Sequence, residues 1–181
     1  MNDIQEKISE LNVQKVAEGM NEKGYFLLSQ FLPAKYCKEL IDKYDNENLY
    51  RKVITMEKYS FGLGEYKYFK YRLPNFVHNI RKGVYPILAR VANNSMRMLN
   101  LKRQFPHEFE KLQKLCHDNN QTECTVLILK YGKGGFNTLH QDLYGNIFFP
   151  MQLVLFLNEP DEDYFGGEFV LTQQNPRAQS K

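Results

Sequence analysis

The sequence predicts an α+β fold, with helices first and an antiparallel β region after them. Three observations predict it. Apolar residues recur at helical spacing in several segments before residue 120. After Asn120 short apolar runs alternate with glycine-containing turns. The length of 181 residues suits one domain. Residues 1–120 are therefore expected to form a mainly helical support region and 121–181 the first part of a β core, within a single domain spanning 1–181.

The elements follow in order. Asp3 to Met20 places Ile4, Ile8, Leu11, Val13 and Val16 at the spacing of an amphipathic helix, ended by Gly24. Gly24 to Ser29 reads as a short strand. Pro33 opens a second helix over Ala34 to Glu47, with Cys37, Leu40, Ile41 and Tyr44 on one face. Leu49 to Met56 is a candidate strand. Tyr59 to Phe69 alternates aromatics with Gly62 and Gly64, which suggests an extended or looped segment. Asn75 to Leu99 is strongly helical, with an interruption expected at Pro86. Phe105 to His117 is a further helix. Thr125 to Tyr131 reads as a strand, Gly132 to Gly135 as a turn, Phe148 to Asn158 as a long strand, Glu159 to Asp163 as an acidic turn, and Gly166 to Leu171 as a last strand.

Composition narrows the function classes. Hydrophobic residues make up 43% and charged residues 25%, ordinary for a globular chain. The net charge of +3, from 24 basic and 21 acidic residues, is dispersed, so it permits a nucleic-acid partner without arguing for one. No apolar run reaches the ~20 residues that a membrane-spanning helix needs. Cys37, Cys116 and Cys124 form no CxxC pair, which points to reduced thiols and a cytoplasmic location.

The chemistry-bearing element is His140-Gln141-Asp142. In an extended segment residues i and i+2 face the same way, so one imidazole and one carboxylate converge on one point. A second imidazole would complete a facial 2-His-1-carboxylate set with positions left open for a co-substrate and O₂. On HxD alone the alternative is a hydrogen-bonded histidine near a loop aspartate. Tyr131 ends the preceding strand on the face of Leu127 and Leu129, a glycine turn separates it from His140, and the Gly166-Gly-Glu-Phe-Val-Leu171 segment follows Asp142.

This order resembles the prolyl-hydroxylase-like branch of the 2-oxoglutarate/Fe(II) oxygenases. Phe61–Phe69, Cys116–His117, Gln121–Thr122, Leu139–Gly145, Phe149–Pro150, Gly166–Thr172 and Pro176–Ser180 together resemble one bacterial family of that class, proposed to act on damaged or alkylated nucleic acid. The resemblance runs from about Gly24 onward. It implies a double-stranded β-helix (jelly-roll) core, Fe(II) held by His140 and Asp142, and Tyr131 hydrogen-bonded to 2-oxoglutarate. The implied reaction hydroxylates a C–H bond and releases succinate and CO₂. Hydroxylation of an N-methyl carbon would end in demethylation of alkylated nucleic acid.

The family also needs a second histidine and, beyond it, an arginine for the distal carboxylate of 2-oxoglutarate. No histidine follows His140; His78, His107 and His117 all precede it, and Arg177 matches a different segment. The resemblance therefore implies that both residues lie beyond Lys181, that the chain is truncated before the last core strands, and that it is inactive as it stands. Two alternatives stay open: a protein or small-molecule hydroxylase of the same class, and a jelly-roll binding module that has lost the metal site. For substrate contact the candidates are Tyr66 and Tyr68, interleaved with Lys67, Lys70 and Arg72, and Tyr144 at the mouth of the site. The alternative for Tyr66 and Tyr68 is an aromatic edge strand with its lysines reaching outward.

Overall fold

The computed structural model of the chain describes residues 3–143 and 145–172. Two helices, α1 (Asp3–Ser9) and α2 (Val13–Lys23), replace the single amino-terminal helix expected. The break is a capping event. Asn12 is extended and its side chain accepts a hydrogen bond from the Lys15 N–H at 3.1 Å. That local bond satisfies an orphan donor and restarts the helix. Gly24, with φ +78°, ends α2 as expected. The strand expected over 24–29 does not form; Leu27 is 71% exposed and the segment has no ladder partner among the described residues.

Helix α3 (Ala34–Asp42) follows Pro33 and stops five residues short of Glu47. Strands β1 (Tyr50–Thr55), β2 (Gly62–Leu63) and β3 (Glu65–Phe69) come next. Helix α4 (Asn75–Met98) runs unbroken through Pro86. Losing one helical hydrogen bond to proline costs ~3 kcal/mol. Ten residues of α4 are buried, and each large apolar side chain among them contributes ~1.5–3 kcal/mol. Burial wins, and both Pro86 and Lys82, whose carbonyl loses its helical partner, are exposed residues. Helix α5 (Phe109–Asp118), strand β4 (Leu127–Lys130) and strand β5 (Phe136–Asn137) complete the regular elements among the described residues.

Strands β1, β3 and β4 form one antiparallel sheet with β3 in the centre, and β2 pairs antiparallel with β5. The sheet packs one face on α1, α3 and the first half of α4, burying Ile4, Leu40, Tyr44, Phe69, Ile80 and Ile128. A second cluster joins the last half of α4 to α5 through Tyr85, Ala92, Phe105 and Phe109. Buried Asn93 ties in the intervening loop: its amide donates to the Phe105 carbonyl at 2.9 Å and accepts from the Phe105 N–H at 2.7 Å.

The α+β class holds, while the described residues form no jelly roll. The strands expected over Phe148–Asn158 and Gly166–Leu171 are absent. The first keeps a strand's alternation: Ile147, Phe149 and Met151 pack on the second cluster, and Leu155 and Leu157 on the first. It lies against the helices and sheet core with no ladder partner among the described residues, and inter-strand hydrogen bonds are what define a strand. The second segment is exposed throughout, with Phe169, Val170 and Leu171 each more than half exposed.

Candidate metal centre

The site begins at a glycine. Gly62 has φ +138°, and a Cβ there would lie 2.1 Å from the Phe136 carbonyl oxygen. Only glycine allows β2 and β5 to approach this closely. The pairing fixes Gly62 opposite Asn137, and Thr138 extends it: its N–H donates to the Phe61 carbonyl at 2.8 Å and its hydroxyl to the same oxygen at 3.0 Å. Residues 138–143 then leave the sheet without regular structure.

His140 and Asp142 lie on this loop, and the structure brings them together. His140 Nδ1 is 2.7 Å from the Thr138 carbonyl oxygen. A carbonyl only accepts, so Nδ1 donates, and in the neutral imidazole that metal binding requires Nε2 is the nitrogen with the lone pair. Nε2 lies 3.6 Å from Asp142 Oδ1. The other carboxylate oxygen, Oδ2, accepts from the Gln152 side-chain amide at 2.5 Å. One imidazole nitrogen and one carboxylate oxygen thus remain for a shared cation, each ligand steadied by an outer partner, as metal ligands characteristically are. The donor set fits a divalent transition metal. Among the described residues no group of three or more His, Cys, Asp or Glu side chains surrounds such an ion. His78 sits instead on α4, its ring edge-on to Phe109.

Tyr131 follows β4. Partial burial raises its phenol above the ordinary value, and hydrogen bonding with the Asn137 side chain acts against that shift. The register places Tyr66 opposite Leu129 and Tyr68 opposite Leu127. Directly opposed residues share a face, and so do residues two apart on one strand. Tyr66, Tyr68, Leu129 and Tyr131 therefore share the sheet face turned away from Lys67. The two tyrosine rings meet edge to face at 5.6 Å, and the Arg51 guanidinium lies 4.6 Å from the centre of the Tyr68 ring.

The edge-strand alternative for this segment is corrected: β3 is the central strand. Lys67 points inward and is 8% exposed. It donates to the Tyr44 carbonyl at 3.2 Å and lies 3.5 Å from Glu65 Oε1, over the Tyr44 ring. Tyr144 and Arg177 lie outside the described residues. Sequence reasoning missed Thr138 and Gln152. Thr138 carries a readable signal, sharing its facing direction with His140 at i+2. A glutamine ten residues downstream carries none.

An α+β fold with a His and an Asp side chain paired on one loop is the arrangement against which the relatives are compared. Over residues 64–181 the chain matches a family described as an oxygenase catalysing oxidative methylation of damaged DNA, and it belongs to that family. Two uncharacterized proteins of Mycobacterium tuberculosis, one from strain CDC 1551 and one from strain H37Rv, are each 41% identical to it over 109 residues, covering 60% of this chain and 47% of theirs. The chain thus spans about half the length of the curated relatives it matches. No solved structure matches it.

Proposed function

We propose that the chain carries the first two metal ligands of a 2-oxoglutarate- and Fe(II)-dependent oxygenase that oxidises a C–H bond of alkylated nucleic acid. The observation that carries this reading is the 3.6 Å approach of His140 Nε2 to Asp142 Oδ1, with Nδ1 already committed to Thr138, in a chain of an oxygenase family.

His140 would hold the metal through Nε2 and Asp142 through Oδ1, with a third protein ligand from outside the described residues. An Fe(II) ion held there would supply, with 2-oxoglutarate and O₂, the oxidising chemistry for C–H hydroxylation, with succinate and CO₂ as co-products. The chain's own residues do the rest. The Thr138 carbonyl holds the His140 tautomer, and Gln152 holds the Asp142 carboxylate to one free oxygen. Tyr131 carries its proton at neutral pH as any ordinary phenol does, partial burial acts in the same direction, and its hydroxyl is the proposed donor to a carboxylate of 2-oxoglutarate. Tyr66 and Tyr68, on the same face, offer aromatic surface to a base. Tyr144 is a further candidate contact. When the hydroxylated carbon is an N-methyl group, the product loses it, which is demethylation.

Succinate release by the full-length protein, supplied with Fe(II) and 2-oxoglutarate, tests this reading. Methylated oligonucleotides are expected to stimulate release above the level seen with unmethylated ones or with free amino acids. Equal release with all three would refute the nucleic-acid assignment. No release with any substrate would refute the oxygenase assignment.

A further inference from the structure

The His140–Asp142 loop is held at both ends, and the two ends are held differently. At the entry, backbone pairing with Phe61 fixes Thr138. At the exit no strand partner is present among the described residues. Its place is taken by a side chain: Gln121 Nε2 donates to the Ile147 carbonyl at 2.8 Å, and Gln121 Oε1 accepts from the Ile147 N–H at 2.7 Å. The amide reproduces the double hydrogen bond that a neighbouring strand residue would give.

Three further features converge on this contact. Gln121 is itself fixed, because its N–H donates to the Cys116 carbonyl at the end of α5 at 2.9 Å. Gly145 lies against its amide, with φ +76° and a hypothetical Cβ only 2.5 Å from Gln121 Nε2, so no other residue lets the loop cross there undisturbed. Between the two anchors the loop has little apolar burial to hold it: Leu139 is 70% exposed and Leu143 58%. With burial, the usual source of order, missing, its geometry depends on hydrogen bonds: those at its two ends and the Gln152 amide on Asp142 between them.

We propose that Gln121 is a positioning residue that holds the His140–Asp142 loop in its metal-binding geometry. It touches neither ligand and acts through Ile147. The loop-ordering part stands on the contacts alone; only the consequence for metal affinity rests on the function proposed above.

Backbone ¹⁵N relaxation of the metal-free full-length protein tests the proposal, with Gln121→Ala and Gly145→Ala as variants. Order parameters over 139–143 are expected to fall from the rigid range near ~0.85 to below ~0.6 in both variants, while those of α4 stay unchanged. Parent-like values over 139–143 in both variants would overturn the proposal. Should Gln121→Ala fail to fold, Gly145→Ala decides alone, since Gly145 is exposed and the added methyl acts on the Gln121 amide. In a Mn(II) titration each folded variant is expected to bind about 10- to 100-fold more weakly than the parent. A parent that binds no Mn(II), with the relaxation result as expected, removes the metal reading and leaves the positioning role standing.

Discussion

His140 Nε2 and Asp142 Oδ1 stand 3.6 Å apart, two residues along one loop. Nitrogen and oxygen ligands about 2.0–2.2 Å from one ion, at right angles to each other, are about 3 Å apart. A closure of about half an ångström therefore brings both onto one metal, and side-chain rotation alone can supply it. The two side chains meet on the loop that leaves the end of β5, where Thr138 holds His140 and Gln152 holds Asp142.

Tyr131→Phe removes the phenolic donor while leaving the ring. Loss of one hydrogen bond to a charged carboxylate corresponds to about 1.5–3 kcal/mol. The affinity for 2-oxoglutarate is expected to fall by one to two orders of magnitude, with Mn(II) affinity unchanged. Isothermal titration of 2-oxoglutarate into the metal-loaded full-length protein measures it.

Gly62→Ala places a methyl group against the Phe136 carbonyl at a φ of +138°. The strained conformation costs about 1–3 kcal/mol, or the β2–β5 pair opens to avoid it. Either outcome lowers the urea midpoint. Opening of the pair also releases Thr138 and weakens Mn(II) binding, although Gly62 touches neither ligand.

Asn93→Ala removes the side chain that pairs both the N–H and the carbonyl of buried Phe105, on the loop after α4. Each buried group left without a partner costs about 1–3 kcal/mol. An unfolding free energy lower by about 2–5 kcal/mol is expected from urea denaturation, with the His140–Asp142 loop unaffected.

Tyr85 gives the chain an alkaline limit. Burial pushes its phenol up to about 12, and its hydroxyl donates to the Pro106 carbonyl at 2.6 Å. In the unfolded chain the phenol titrates near 10. The folded value is the higher one, so its stabilisation is complete below pH 10 and is lost as pH rises through about 12. This one group is expected to remove about 2–3 kcal/mol of stability across that window. In Tyr85→Phe the alkaline slope flattens by one proton, while stability at pH 7 drops by about 1 kcal/mol for the lost hydrogen bond. Urea midpoints between pH 8 and 12 measure both.

The elements legible in the sequence are those whose signal is local. A short apolar run marks β4, Pro33 marks the start of α3, and Gly24 marks the end of α2. Where tertiary packing overrides a local signal, the reading fails. Pro86 signals a break that the buried face of α4 outweighs, and the alternation of 147–157 is spent on packing against the helices and core. Lys67 reads as a surface lysine, yet Glu65 and the Tyr44 ring accept its charge inside. At the site, i+2 spacing makes His140 and Asp142 readable as a pair. Gln121 and Gln152 are not readable, because a glutamine's partner depends on where a distant segment passes.

The central claim is that His140 and Asp142 hold one metal ion. Mn(II) binding to the full-length protein, followed by loss of the free-ion electron paramagnetic resonance signal, tests it most directly when parent, His140→Ala and Asp142→Ala are compared. Saturable binding at one site in the parent, weakened at least a hundredfold in each variant, is the predicted result. Equal affinity in all three proteins would contradict it.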